Sequence, residues 1–234
     1  MKKALIIALP LVVIAAVAVV LLISIFGKSE GFLVSFETGG GENLRSHRYE
    51  VIETAPYTTR SGYELDGWFF DEELTRKAEF PLEITEDTTL YAAWYKVEYT
   101  TALNSAIYLK FLSGDNENSK SYDIFIPEEM DINDVSRRGY RVQVTVSFEV
   151  GYTRDWVKDF GYLGAPKYDV SLLSAGGVGA VHENVVAPDT DTTTGISYTF
   201  STAELEGLTF SAKTQNIQNT VHLRNVIITY RLVR

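Results

Sequence analysis
Beyond residue 30, apolar and polar positions alternate with a period of two along most of the chain. The clearest stretch sets Val142, Val144, Val146, Phe148 and Val150 against Arg141, Gln143, Thr145, Ser147 and Glu149. Successive strand side chains point to opposite faces, so this pattern predicts a long strand that packs on one side only. The same period marks Phe32, Val34 and Phe36, then Ile107, Leu109 and Phe111, then Tyr122, Ile124 and Ile126. It returns at Tyr168, Val170 and Leu172, at Ile196, Tyr198 and Phe200, and at Leu208 and Phe210. Over Thr220–Val233 the phase changes: Val221 and Leu223 fall on one face, and Val226, Ile228, Tyr230 and Leu232 on the other. An extra residue near Arg224-Asn225 reconciles them, so a β-bulge is predicted there. Turns are expected at residues 113–116, 174–177 and 189–192. Helical periodicity is confined to single turns expected at Glu128–Val135 and Thr202–Glu206. The fold class is mainly β.

The amino end breaks this pattern. Met1-Lys2-Lys3 precedes an unbroken apolar run from Ala4 to Phe26. As a helix it spans about 35 Å, enough for a hydrocarbon core of about 30 Å. The lysines place the amino terminus inside and the bulk of the chain outside. The competing reading is a cleaved signal peptide, with Ala16-Val17-Ala18 as a small-x-small site. Cutting there leaves an apolar new terminus, and no such pattern follows Phe26. The expectation is therefore an uncleaved transmembrane signal-anchor and a short polar spacer over residues 1–30.

Residues 62–94 carry the densest local signals. Tyr63 and Leu65 share a strand face, and Trp68 falls on the other unless Gly67 resets the alternation, as an interior glycine at a bulge does. That correction puts Leu65, Trp68 and Phe70 on one side. Asp71-Glu72-Glu73 reads as an N-terminal helix cap. A second strand, Thr89–Trp94, is entered through Thr85-Glu86-Asp87. Upstream, Arg45–Thr54 reads as one strand with Tyr49 and Val51 as the inward pair and Ile52 opposite.

Gly62-Tyr63, Leu65, Gly67-Trp68, Asp71, Thr75, Phe80, then Thr85, Asp87, Thr89-Leu90-Tyr91-Ala92 and Trp94 closely resemble the Listeria–Bacteroides repeat of internalin B-type proteins. Leu33–Gly41 matches that family's opening strand and glycine-rich turn, so the resemblance covers about residues 32–95. Leu65 stands where the family has Phe, and a single copy is present. The resemblance implies a small β-grasp-like module on bacterial surface proteins, with Trp68 and Trp94 in its core and no catalysis. Its expected bounds are 31–96.

Residues 97–234 hold about eight predicted strands with long connections, which suits an antiparallel β-sandwich, jelly-roll-like. The strand Arg224-Asn225-Val226-x-x-x-Tyr230 is similar to galactose-binding-type jelly rolls. Such domains commonly bind sugars through aromatic and polar loop residues at one end. Tyr152–Tyr162 is the loop of that composition, with Arg154, Asp155, Trp156 and Asp159 as candidate ligand-binding residues. The competing assignment has Trp156 covering the core edge.

Composition narrows the function. The 234-residue chain has a formal net charge of −10 and no basic stripe, which argues against a nucleic-acid partner. With no cysteine, disulfides, zinc–thiolate sites, cysteine nucleophiles and lipoprotein anchoring are excluded. No G-x-S-x-G, H-E-x-x-H or EF-hand spacing occurs, so no catalytic residue, metal or cofactor is expected. His47 reads as a solvated strand histidine. His222, between Val221 and Leu223, is expected to face solvent or the opposite sheet. The expectation is a non-catalytic, single-pass membrane protein of the bacterial cell surface, with the bulk of the chain extracellular. Its expected partners are the membrane and a glycan or surface protein. The alternative is a scaffold component of a membrane or envelope complex.

Overall fold
The computed structural model describes residues 31–103, 105–109, 118–154, 165–214 and 219–234. The chain divides into two compact units, Met1–Tyr95 and Lys96–Arg234. Among the described residues both are built mainly from β-strands. No helix among the described residues is long and apolar enough to cross a membrane. The apolar run Ala4–Phe26, and with it the expected transmembrane helix, lies outside the described residues.

In the first unit, β1 (Phe32–Glu37), β2 (His47–Tyr49), β4 (Tyr63–Phe69) and β6 (Thr88–Lys96) form a sheet in the order β2-β1-β6-β4. β1 runs antiparallel to β2 and parallel to β6. The Arg45–Thr54 stretch is not one strand. It breaks at Glu50, whose carbonyl accepts from Ile84 N, and β3 (Val51–Ile52) pairs instead with β5 (Leu82–Glu83). The break reverses the expected facing: Ile52 is buried in the core and Val51 is 39% exposed.

Gly67 adopts φ +149°, and a Cβ there would lie 2.6 Å from Lys77 Cε. Beyond it Trp68 is fully buried, with Leu65 and Phe70 packed against the same core, as the alternation reset requires. Trp68 donates Nε1–H to the Pro56 carbonyl at 2.8 Å, and Trp94 donates to the Thr38 carbonyl at 2.7 Å. Trp68 thus buries its indole fully and Trp94 in part, and each satisfies its one polar group. The sequence 71–73 starts no helix. Asp71 caps a loop, accepting from Thr75 N at 2.6 Å and Arg76 N at 2.9 Å, while Leu74 takes φ +57°. The carboxylate satisfies the backbone donors before a helical turn can use them. These bonds, that from Thr75 N first, hold the Asp71 carboxyl below its ordinary range.

The second unit has two sheets. One is ordered β13 (Thr192–Phe200), β10 (Arg141–Arg154), β15 (Asn219–Val233) and β7 (Glu98–Ala102), with β8 (Ile107–Leu109) also on β15. The other is β12 (Gly179–Val186), β11 (Lys167–Leu173), β14 (Thr209–Thr214) and β9 (Ser119–Asp123). Every pairing in both is antiparallel. Strands β7 and β12 carry no clear apolar alternation and were not expected from the pattern.

The predicted inner residues of β10, Val142 to Val150, are all buried, as are Tyr168, Val170 and Leu172 of β11. The two inner faces meet where the Phe148 and Phe210 rings lie 5.9 Å apart. The bulge in β15 is present. Ser147 pairs with Ile227 but Glu149 with Arg224, and Asn225 takes φ +51°. Both phases of β15, from Val221 to Leu232, are consequently buried on one side. Helix α1 (Ile132–Arg137) begins later than the turn expected at Glu128. It is capped by Asp131, which accepts from Asn133 N and Asp134 N. A 3₁₀ turn, Thr202–Leu205, occupies the second expected helical site, with Ser201 and Glu204 forming a capping box.

Candidate binding surface
On the outer face of the β13-β10-β15-β7 sheet the residues of the middle rows are half-buried or exposed. Each residue there alternates with a buried inner one, so its position follows from the ladder register. Ser197, Thr145, Thr229 and Thr100 line up as one row across four strands. The Thr145 and Ser197 hydroxyls lie 2.8 Å apart. The next row on one side is Thr199, Gln143, Arg231 and Glu98; on the other it is Gly195, Ser147, Ile227 and Ala102. Small polar residues make up most of the middle of this face.

Towards the end of β10 the chemistry changes. His222 stands beside Gly151 on one side and Tyr108 on the other, and Asp191, the residue before β13, reaches Gly151 from the far side. His222 Nε2 lies 2.8 Å from Asp191 Oδ1, and Arg224 donates to Asp191 Oδ2 at 3.1 Å. A Cβ at Gly151 would lie 2.9 Å from His222 Nε2 and would collide with the Asp191 carboxylate. The missing side chain is what lets Asp191 reach across β10. The hydrogen bond with His222 is the largest of the effects that hold the Asp191 carboxyl below its ordinary range, and Arg224 adds to it. An ionised carboxylate needs a donor, so Nε2 carries the proton in this pair. His222 Nδ1 is buried and has no hydrogen-bond partner among the described residues.

His222 was expected to face solvent or the opposite sheet, and it does neither. It lies on the outer face yet is 4% exposed. Tyr152 donates its hydroxyl proton to Asp189, which like Asp191 lies in the connection between β12 and β13. In the adjacent row Asn225 donates to Glu149 Oε2 at 2.8 Å. Tyr108 remains 52% exposed at the row's end, its ring 6.4 Å from that of His222.

Of the loop residues predicted to bind ligand, Arg154 is the last residue of β10, opposite Asn219. Asp155, Trp156 and Asp159 lie outside the described residues. His47 is exposed on β2 with its ring edge-on to Tyr49, and His182 is exposed on β12. Among the described residues no group of three or more His, Asp or Glu side chains could hold a metal ion. No spacing motif announces the Asp191–His222 pair, since 31 residues separate the partners. Gly151, interrupting an otherwise regular strand, was the signal available in the sequence.

The first unit, a four-stranded sheet with a parallel β1–β6 pair around a buried tryptophan, defines a small mixed β module. Residues 32–93 match the family model of the Listeria-Bacteroides repeat domain, and this part of the chain is such a repeat. A protein of Evansella cellulosilytica named "Putative membrane protein" is 37% identical over 78 residues, 32% of this chain. The match spans 12% of that relative's length. Among solved structures, the infectious bursal disease virus Gx strain aligns at 9% identity and a TM-score of 0.29, over 62% of this chain and 39% of that one. The VP2 subviral particle of the same virus aligns at 9% identity and 0.27, over 61% and 39%. Scores this low identify no shared fold.

Proposed function
We propose that the protein is a non-catalytic surface component held at a membrane, which displays the repeat and the second β unit for binding a glycan or another surface protein. The Listeria–Bacteroides repeat at residues 32–93 carries this reading. The membrane description of the Evansella cellulosilytica relative and the apolar run Ala4–Phe26 support the location. In this reading the run crosses the membrane once and both units lie outside the cell. The repeat is β-grasp-like, with β1 beside and parallel to β6, and the second unit is a β-sandwich of the jelly-roll kind.

Protease added to intact cells tests the location. Removal of everything after about Gly31 is the expected result, and protection of residues 96–234 would overturn it. A mature chain beginning near Val19 or Lys28 would replace the anchor with a cleaved signal.

A further inference from the structure
We propose that the repeat is a load-bearing link, in which β1 and β6 form a clamp that keeps this unit folded when its two ends are pulled apart. Along the chain it stands between the apolar run Ala4–Phe26 and the second unit. Tension between a membrane and anything the second unit holds must therefore pass through it. That source of tension rests on the surface reading above; the clamp itself rests on topology. β1 is the first strand of the unit and β6 the last, and they are hydrogen-bonded neighbours running parallel. The chain thus enters at one end of the pair and leaves at the other. Pulling on those two points slides β1 along β6 and loads every rung of the ladder at once. Where the terminal strands are antiparallel, entry and exit share one end and the rungs open in turn. β7 and β15 of the second unit are such a pair, with Glu98 opposite Arg231.

The pair is reinforced along its whole length. Four partner pairs, Val34–Thr88 through Glu37–Tyr91, make the ladder, and parallel bonds are evenly spaced, so they share a load along the strands. Beyond one end Asp87 Oδ1 accepts from Leu33 N at 2.8 Å; beyond the other the Thr38 carbonyl accepts from Trp94 Nε1 at 2.7 Å. Arg48 ties down the entry point by donating to the Gly31 carbonyl at 2.9 Å. β1 lies between β2 and β6, and β6 between β1 and β4, so neither is an edge strand. Sliding also drags side chains through the core. Val34 and Leu90 are fully buried, and the Phe36 ring meets that of Trp68 edge-on at 5.3 Å. A close-packed interior resists such a shift until it gives way as a whole.

The test is single-molecule stretching of the full chain in detergent micelles, since forced unfolding reads the unfolding barrier directly. The chain has no cysteine, so introduced pairs attach the handles at chosen points. Ser29→Cys with Glu98→Cys pulls on the entry to β1 and the exit from β6, loading the ladder in shear. Ser29→Cys with Glu86→Cys pulls on the leading ends of both strands and peels them apart. Glu86 and Glu98 are exposed, so the handles leave the core intact. At one pulling rate, four rungs loaded together rather than in turn should make the unfolding force about fourfold higher in the first geometry. Equal forces in the two geometries, or a lower one in the first, would overturn the clamp. The measurement uses neither cells nor ligand, so its failure is distinct from that of the surface reading, which the protease experiment decides.

Discussion
The two units fold from different kinds of information. In the repeat, the contacts of the motif's turn are local: Asp71 is bonded to residues four and five positions on, and Gly67 acts on its immediate neighbour Trp68, while Trp94 reaches Thr38 across 56 residues. In the second unit the decisive contacts are long-range. His222 meets Asp191 across 31 residues and Asn225 meets Glu149 across 76. A motif can encode the first kind, because spacing along the chain is spacing in space. It cannot encode the second, which exists only once the strands are in register. Mutations should therefore act as sharp local lesions in the repeat and as register-dependent ones in the second unit.

The largest expected effect tests the local half of that contrast. Trp68→Ala removes a fully buried indole and the bond to Pro56, and should destabilise the repeat by about 3–5 kcal/mol. Hydrogen exchange resolved by unit is the measurement. Protection should fall in residues 32–95 and persist in residues 96–234. Little change in the repeat would mean that the core forms around other side chains.

Next in size is Gly151→Val. The added side chain meets Asp191 and His222 together, and should cost about 1–3 kcal/mol as overpacking. If register carries the second unit's stability, protection falls in β13 and β15 rather than only around residue 151. An unperturbed Gly151→Val would show that Asp191 can withdraw without consequence.

Legibility in the sequence followed periodicity rather than this divide. The inner faces of β10, β11 and β15 were readable because burial on one side imposes a strict period of two, and the β15 bulge was readable as a phase change. Glu50 hid the division between β2 and β3, since a two-residue strand carries too little periodicity to show a switch of partner. β7 and β12 lack an apolar stripe and left no signal. The Asp191–His222 pair left no signal of its own, because its partners meet only once the strands are in register.

Acidification gives a smaller effect, shared by both units. Asp71 and Asp191 each have a carboxyl pKa lowered in the folded state, by Thr75 and Arg76 in one case and chiefly by His222 in the other. A lowered folded pKa contributes stability that is present above the unfolded value, about 3.9, and is lost as pH falls through the folded value. Both units should therefore weaken below about pH 4. Asp71→Asn should flatten the acid limb in the repeat alone, and Asp191→Asn in the second unit alone. Flattening in both units from either substitution would break the separation drawn above.

The smallest expected effect lies at the bulge, where local and long-range demands fall on one residue. Asn225 holds φ +51°, a conformation that most side chains resist and that Asn and Gly accept. It also donates to Glu149 across the ladder. Asn225→Gly removes the bond but relieves the backbone, and these should offset to within about 0.5 kcal/mol. Asn225→Ala loses the bond and keeps the strained backbone, so it should cost about 1–2 kcal/mol. Denaturant unfolding of the pair separates the two demands. If Gly is as damaging as Ala, the Glu149 bond fixes the register, and the bulge is a long-range feature like the Asp191–His222 pair. If Gly is neutral and Ala is not, the backbone of one residue sets the phase of β15. In that case the second unit, too, contains a locally encoded element, the one its sequence announced.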